Sequence, residues 1–205
     1  AENSPIPISQ ASIFFRCTNA SGHIPHISAI VGPAAGNAGY AAALTDFVFM
    51  VDGISYTFAT GPIAVKEVLG EEVSMEELGG SKIHAQVSGL ADLRMKTEGE
   101  CFAKIRTLLS YLPSNHKEKA QRVWNGAEID GIDEEIGDLV PTDSRKPYDM
   151  KRVIYRLVDE GGFFEIKPEF AKNIIVGFCR LYGYPVGIVA NQPLFQAGAI
   201  TVDSS

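Results

Sequence analysis

Short apolar runs, separated by glycine and proline, organise the first third of the chain. The run before Gly32-Pro33 has the length of a buried strand, and very small side chains follow it. Two more apolar runs flank the turn residues Asp52-Gly53. In order, this pattern predicts a buried strand over 24–31, a short helix over 35–44 that begins near Gly36, and strands over 47–51 and 55–60 joined by that turn.

Helix start and stop residues predict three further helices. Pro62 suits the first turn of a helix that stops at Gly70. Two capping boxes, Ser74–Glu77 and Thr97–Glu100, each open another helix. The longer of these two helices is expected to pack one apolar face against a core. This face consists of Cys101, Ile105, Leu108, Leu109 and Leu112.

A polar, charged stretch at 114–147 interrupts this pattern and is the best candidate for a linker. Beyond it, Asp149 is expected to cap a helix. Strands are predicted over 163–167, 174–180 and 185–190, the last two as a hairpin that turns at Gly183. Strands that alternate with helices indicate an α/β fold. The polar interruption predicts two domains, at 1–140 and 141–205.

The overall charge and the cysteine pattern narrow the class of protein. The 205 residues carry a net charge of −7 and a pI near 5.1, which argues against binding to nucleic acid or to an acidic membrane surface. The apolar runs are strand-sized, and no basic region precedes an apolar stretch at the start, so neither a membrane span nor a signal peptide is expected. Cys17, Cys101 and Cys179 lie far apart, which fits a reducing compartment better than a disulfide framework or a zinc site. We expect a cytoplasmic enzyme or binding domain without a metal ion.

The stretch 32–44 carries the candidate chemistry of the chain. A strand enters a glycine-rich turn there, and a helix of tiny side chains leaves it. The start of such a helix presents unpaired amides and a positive dipole end, and two neighbouring N–H groups suit the negative oxygen of a thioester enolate. Close packing between a strand and a helix explains the same pattern. A phosphate-binding loop ranks last, because the stretch lacks the Lys-Ser/Thr ending and the dinucleotide spacing.

A series of ordered sequence blocks covers the chain. The longest runs over 22–53 and includes Gly-His-Ile-Pro-His and Leu-Thr-Asp-Phe-Val-Phe-Met-Val-Asp-Gly. Further blocks follow at 60–62, 70–73, 75–80, 88–89, 109–113, 147–149 and 187–193. Together they resemble the carboxyltransferase subunits (beta chains) of biotin-dependent acyl-CoA carboxylases of the propionyl-CoA carboxylase type. The resemblance places the chain centrally in such a subunit, with 1–140 as the later part of the N-terminal carboxyltransferase domain and 141–205 as the beginning of the C-terminal one.

The resemblance implies a fold and a reaction. The fold is an α/β, crotonase-like (ClpP/crotonase) fold of β-β-α units, with an active site at a dimer interface between the first domain of one subunit and the second domain of its partner. The reaction moves a carboxyl group between carboxybiotin and the α-carbon of a short-chain, propionyl-CoA-like acyl-CoA through an enolate. Biotin freed of its carboxyl group is the base, so no protein histidine or carboxylate is required. One amide pair holds the enolate oxygen, and a second pair, expected beyond Ser205, holds the biotin ureido oxygen.

The resemblance also assigns site residues. The backbone amides of Gly36 and Asn37 form the first oxyanion hole, and the residues expected near the substrate are Ala35, Ala38, Tyr40, Phe58, Gly61 and His84. Core packing is the alternative role for Tyr40 and Phe58. The chain departs from the family's usual Cys at Ala34, second Gly at Asn37 and Ser-Pro at Ala41-Ala42. Because asparagine accepts positive φ better than other side chains, Asn37 is expected to keep its amide donor while its side chain narrows the acyl pocket.

The family's assembly sets further expectations. The expected partners are acyl-CoA, a biotin carboxylase subunit and a biotin carboxyl carrier protein, with no metal in this subunit and no direct contact with nucleic acid or a membrane. The full-length subunit is expected to form a homo-oligomer, a hexamer, in the cytoplasm or, in a eukaryote, in the mitochondrial matrix. Both ends of the chain look cut, so the fragment alone is expected to be inactive and to associate through exposed apolar faces.

Three other functions stay open at this point. The carboxyltransferase subunit of a biotin-dependent, sodium-pumping acyl-CoA decarboxylase would run the transfer in the opposite direction. A non-catalytic assembly subunit is an alternative of a different class, and the change from glycine to Asn37 keeps it open. A crotonase-type hydratase or isomerase would need a glutamate base near the oxyanion helix, and residues 33–51 contain no glutamate.

Overall fold

A computed structural model describes residues 10–124, 135–143 and 145–205. The helices of these residues are α1 (Gln10–Ala20), α2 (Asn37–Ala43), α3 (Pro62–Leu69), α4 (Met75–Gly79), α5 (Ser81–Gln86), α6 (Glu98–Leu109), α7 (Ile136–Leu139) and α8 (Met150–Leu157). The strands are β1 (Ile27–Ile30), β2 (Pro33–Ala35), β3 (Phe47–Val51), β4 (Tyr56–Phe58), β5 (Leu93–Met95), β6 (Phe164–Ile166), β7 (Ile174–Leu181) and β8 (Tyr184–Asn191). A short 3-10 helix, Gln196–Gly198, follows β8. The mixed α/β class is confirmed.

Three parallel strands form the central sheet in the order β1-β3-β5. Strand β3 lies in the middle, and residues 49–51 are almost fully buried because both faces of this strand are covered. Strand β1 lies at the edge, and Ile30 is its one buried residue. The predicted buried strand over 24–31 is therefore wrong in its extent and burial. Residues 24–31 are mostly apolar, but β1 is an edge strand, so the described residues cover only part of its surface.

Strands β2 and β4 form a second, two-stranded parallel sheet, separate from the central sheet. The predicted turn at Asp52-Gly53 is confirmed, with Gly53 at φ 72°. The strands that it joins do not pair with each other among the described residues. The buried Ser55 explains this course, because its hydroxyl accepts the Val51 N–H at 2.7 Å and donates to the Ile30 carbonyl. This anchor directs β4 into the second layer, beside β2.

Local signals predicted both ends of α3 and the start of α4 correctly. Helix α3 has Pro62 in its first turn and ends at Gly70, which is left-handed at φ 73°. At the start of α4, the Ser74 hydroxyl accepts the Glu77 N–H at 3.2 Å, while the Glu77 carboxylate accepts the Ser74 N–H at 3.0 Å. These reciprocal bonds complete the predicted capping box. The Ser74 hydroxyl also donates to the Glu77 carboxylate at 2.6 Å, and this bond, together with that from the Ser74 N–H, holds the pKa of Glu77 below its usual value.

Helix α6 packs an apolar face against the central sheet. The Thr97 hydroxyl caps it by accepting the Glu100 N–H at 3.1 Å, while the Glu100 carboxylate reaches the amide one residue before Thr97. Cys101 and Leu108 are fully buried, as predicted, and burial raises the pKa of the Cys101 thiol to about 11. The prediction for Leu109 is wrong. Leu109 is the last helical residue and 48% exposed, because it lies one position past the buried stripe.

An antiparallel sheet, β6-β7-β8, forms the last part of the chain. The Asp149 carboxylate accepts the Lys151 N–H at 3.0 Å and caps α8, as predicted. Strands β7 and β8 form the predicted hairpin, with Gly183 at φ 77° in its turn. Phe164 and Ile166 of β6 belong to the same hydrophobic cluster as side chains of β3 and α6. The two parts of the chain thus share a core, and a domain boundary at residue 140 stays a prediction.

Ion pairs of Lys167 and Glu169 also tie the loop after β6 to the central sheet. Arg94 donates to the Asp52 carboxylate at 3.0 Å and to the Glu169 carboxylate at 2.9 Å. Lys167 pairs with the Asp92 carboxylate at 3.1 Å. Hydrogen bonding to Arg94 lowers the pKa of Glu169, whereas burial raises the pKa of Asp92. Since the Arg94 side chain is only 24% exposed, loss of either partner leaves a partly desolvated charge.

Replacement of Glu169 by glutamine tests this connection. Glu169→Gln is expected to lower the free energy of unfolding by about 1–3 kcal/mol, because it weakens charged hydrogen bonds to a largely covered guanidinium. Glu72→Gln is the matched control, since its ion pair with Lys66 leaves the two side chains 78% and 62% exposed. The control should change stability by less than about 0.5 kcal/mol. Urea unfolding at pH 7 measures both, and equal effects would contradict this account.

The same comparison has a defined pH dependence. Because the pKa of Glu169 is lowered in the folded protein, its stabilising contribution is present above the usual glutamate pKa and is lost as the pH falls through the folded value. The difference in unfolding free energy between the parent protein and Glu169→Gln should therefore stay constant from pH 7 to about 5 and then shrink. A difference that persists where Glu169 is protonated would show that it does not arise from this ion pair.

Candidate active site

The candidate site begins where β2 ends and α2 starts. Gly36 precedes the first helical turn, and its φ of 57° and ψ of −124° suit glycine rather than residues with side chains. The first hydrogen bond of the helix runs from the Tyr40 N–H to the Gly36 carbonyl, at 3.1 Å. The amides of Ala38 and Gly39 therefore lie at the N-terminal end of α2 without partners inside the helix. The predicted start of the helix near Gly36 is confirmed.

The Gly36 amide itself has a partner in the neighbouring strand. Its N–H donates to the Phe58 carbonyl of β4 at 3.0 Å. The resemblance assigned the Gly36 and Asn37 amides as the oxyanion donors. The hydrogen bond to Phe58 already occupies the Gly36 N–H. Within residues 10–124, 135–143 and 145–205, neither the Ala38 nor the Gly39 N–H donates a hydrogen bond to a protein acceptor. In this structure the Gly36 N–H fixes the turn and is not available as an oxyanion donor.

Strand β4 lies against α2 and α4 through two glycine contacts. Gly39 of α2 is buried, and a Cβ at this position would lie 2.6 Å from Thr57 Oγ1. The Thr57 hydroxyl donates to the Ala34 carbonyl at 2.9 Å. On the other side, a Cβ on Gly79 of α4 would overlap the Thr57 carbonyl. Sequence reasoning missed both contacts, because neither is visible in the local pattern.

His84 of α5 supports the same strand. Its Nε2 lies 2.8 Å from the Thr57 carbonyl oxygen, and its Nδ1 lies 2.8 Å from the Ser88 hydroxyl. Both ring nitrogens are therefore engaged inside the fold. The placement of His84 near acyl-CoA stays a prediction, and these contacts give it no support.

The other residues expected near the substrate fall on two sides of β4 and α2. Ala35 pairs with Phe58 in the register of β2 and β4, and a Cβ on Gly61 would lie 3.5 Å from the Phe58 ring. Ala38 lines a cleft of about 650 Å³ between α1, β1 and α2. Tyr40 is 53% exposed. The structure thus brings Ala35, Phe58 and Gly61 together, whereas a two-residue spacing turns Ala38 and Tyr40 to different sides of the helix.

Metal-ligand clusters and membrane-spanning helices are absent from the described residues. In this part of the chain, no group of three histidine, cysteine, aspartate or glutamate side chains is placed to hold a metal ion. None of its helices is long and apolar enough to cross a membrane. The first turn of α2 offers backbone amides, and Asn37 adds a carboxamide side chain.

Comparison with known proteins decides the family. Residues 8–205 match the carboxyl transferase domain. The chain belongs to the carboxyl transferase family. The alpha subunit of methylmalonyl-CoA decarboxylase from Veillonella parvula and the propionyl-CoA carboxylase beta chain from Roseobacter denitrificans are each 49% identical over 193 residues, covering 94% of this chain and 38% of the relative. The mitochondrial propionyl-CoA carboxylase beta chain from Homo sapiens is 46% identical over 195 residues, which is 95% of this chain and 36% of that protein. The carboxyl transferase chain therefore spans little more than a third of these curated relatives.

Solved structures agree with this family. Transcarboxylase 12S, described as a hexamer with hydrolysed methylmalonyl-coenzyme A bound, is 38% identical and superposes with a TM-score of 0.91. The match covers 95% of this carboxyl transferase chain and 38% of that chain. A single-chain, multi-domain long-chain acyl-CoA carboxylase is 19% identical with a TM-score of 0.78, which supports the fold alone. The predicted crotonase-like α/β fold is confirmed.

Proposed function

We propose that the protein containing this chain is a carboxyltransferase that moves a carboxyl group between carboxybiotin and the α-carbon of a short-chain, propionyl-CoA-like acyl-CoA. The observation that carries the proposal is the first turn of α2, where amides follow a glycine turn in a chain of the carboxyl transferase family. The names of the relatives at 49% identity support this class of substrate. On this proposal, residues 1–140 are the later part of the N-terminal carboxyltransferase domain and residues 141–205 begin the C-terminal one.

In the proposed reaction, the start of α2 stabilises the negative charge that develops on the thioester oxygen. Carboxybiotin, presented by its carrier protein, supplies the carboxyl group when bound, and its ureido site is proposed to lie in the second domain. As the acyl α-carbon loses its proton, negative charge moves onto the thioester oxygen. Two amides at the start of α2 donate to that oxygen, and the helix dipole adds a favourable field. Because the amides are fixed before the charge develops, they need no reorganisation during the reaction.

We assign the two donors to Asn37 and Ala38. The resemblance gave Gly36 and Asn37, but the Gly36 N–H is bonded to Phe58, and Ala38 supplies the next amide along the same turn. Neighbouring amides of a first turn point in similar directions, so one oxygen can accept from both. Backbone donors tolerate a change of side chain, so asparagine in place of the family's glycine keeps the donor.

The opposite direction of transfer is the second candidate function. The identity to the methylmalonyl-CoA decarboxylase subunit equals the identity to a propionyl-CoA carboxylase beta chain, 49% in each case. Both directions pass through the same enolate, so the same two amides serve either of them. A biotin-dependent, sodium-pumping acyl-CoA decarboxylase therefore fits the site as well as a carboxylase does.

The proposed partners follow from the proposed reaction. They are acyl-CoA, a biotin carboxylase subunit and a biotin carboxyl carrier protein. We further propose a homo-oligomer, a hexamer with active sites at dimer interfaces, and the hexamer assembly of transcarboxylase 12S supports it. The proposed location is the cytoplasm or, in a eukaryote, the mitochondrial matrix. The name of the human relative describes that protein as mitochondrial.

Labelled carboxyl transfer tests the proposed function. The full-length protein, combined with a biotin carboxylase and a biotinylated carrier, is expected to transfer label from bicarbonate into propionyl-CoA, whereas the 205 residues alone should transfer none. Release of label from methylmalonyl-CoA without net carboxylation would favour the decarboxylase direction. A folded full-length protein that transfers label in neither direction would contradict the proposal and favour an assembly subunit.

Two substitutions at Asn37 test the assigned donors. Asn37 is the first helical residue, a position where proline fits a helix, so Asn37→Pro removes the N–H with little cost to α2. Turnover by the full-length enzyme should fall about a hundred- to a thousand-fold, the usual effect of losing one oxyanion donor. Asn37→Gly keeps the donor and should leave turnover largely intact. Circular dichroism and thermal unfolding control for folding, and a folded Asn37→Pro enzyme with parental turnover would place the oxyanion elsewhere.

A further inference from the structure

One side chain joins α5 to the strand that holds the start of α2. His84 lies within α5 and reaches across to the Thr57 carbonyl of β4, 2.8 Å from its Nε2. A carbonyl oxygen can only accept a hydrogen bond, so Nε2 carries the proton. The Ser88 hydroxyl, 2.8 Å from Nδ1, then donates to that nitrogen and fixes the orientation of the ring. His84 is thus a donor held in one direction by a second hydrogen bond.

The position of β4 determines the position of the turn at Gly36, from which α2 begins. The residue after Thr57 is Phe58, whose carbonyl accepts the Gly36 N–H at 3.0 Å immediately before the first turn of α2. The Thr57 hydroxyl also donates to the Ala34 carbonyl at 2.9 Å in the strand that leads into this turn. A displacement of β4 near Thr57 therefore moves the residues on which α2 begins. No side chain of α2 can compensate, since the proposed donors are backbone amides.

We propose that His84 is a positioning residue for carboxyl transfer, which holds β4 through the Thr57 carbonyl and thereby holds the first turn of α2 in place. The inference rests on the proposed function. His84 does not touch the acyl-CoA in this role, so its loss should lower kcat far more than it changes KM for acyl-CoA. Misplacement of reacting groups by about 1 Å can reduce the rate on the order of a hundred-fold. We expect removal of the donor to lower kcat by about ten- to a hundred-fold, with KM within about threefold.

Two variants at His84 separate positioning from packing. His84→Leu removes the donor while keeping a side chain of similar bulk, and it leaves the Thr57 carbonyl without this hydrogen bond. His84→Gln is the matched control, because its amide nitrogen can donate from nearly the position of Nε2. In the full-length enzyme with its biotin partners, His84→Leu should show the loss in kcat, and His84→Gln should recover most of it. Equal activities of folded Leu and Gln variants would overturn the inference.

Two further measurements keep the test decisive. Hydrogen exchange at the Gly36 amide reports the bond to Phe58 directly, and it should speed up in His84→Leu but stay near the parental rate in His84→Gln. This readout needs no turnover, so it tests the positioning even if the parent enzyme fails to transfer carboxyl groups, a result that would refute only the proposed function. If His84→Leu does not fold, Ser88→Ala replaces it, since Ser88 is exposed and its loss frees the ring. Ser88→Ala should lower kcat about threefold or more, and parental kcat with parental Gly36 exchange would overturn the inference.

Discussion

The close approach of three helices to Thr57 is the constraint on which the candidate site depends. Gly39 of α2 and Gly79 of α4 lie so near to this residue that neither position has room for a side chain. His84 of α5 donates to the same carbonyl that Gly79 contacts. The next carbonyl along the strand receives the Gly36 amide, where α2 begins. A site built from backbone amides cannot correct its geometry by a change of rotamer, so the packing around this strand has to supply the precision.

The fold was predictable wherever neighbouring residues encode an element's end. Pro62 and Gly70 bound α3, Asp149 caps α8, and Gly183 turns the last hairpin, each through contacts within a few residues. Strand pairing depends on contacts between distant residues, and there the pattern was insufficient. The strand after the Asp52-Gly53 turn pairs with β2 because Ser55 bonds to a carbonyl 25 residues earlier, which no local window reveals. The edge position of β1 likewise depends on the order of strands in the sheet.

The candidate site was predictable as a segment but not as a set of donors. The glycine-rich turn and the small side chains after it identified the start of α2 from the sequence, and the family resemblance supplied the enolate chemistry. Phe58 determines whether the Gly36 amide can be a donor, because its carbonyl already accepts the Gly36 N–H. His84 was expected near the substrate from the family resemblance, yet its two nitrogens meet Thr57 and Ser88. Such assignments follow from tertiary contacts, so the structure was needed to move the proposed pair to Asn37 and Ala38.

The carbonyl stretch of bound acyl-CoA tests the central claim most directly, because it reports hydrogen bonds to the one oxygen that α2 is proposed to hold. Propionyl-CoA labelled with ¹³C at the thioester carbonyl, bound to the full-length protein without biotin partners, can be followed by infrared difference spectroscopy. Two fixed amide donors weaken the C=O bond, so the account predicts a frequency below that of propionyl-CoA in water, with part of this shift lost in Asn37→Pro. A bound carbonyl with the frequency it has in water, or an equal shift in Asn37→Pro, would contradict the claim that the first turn of α2 holds the acyl oxygen.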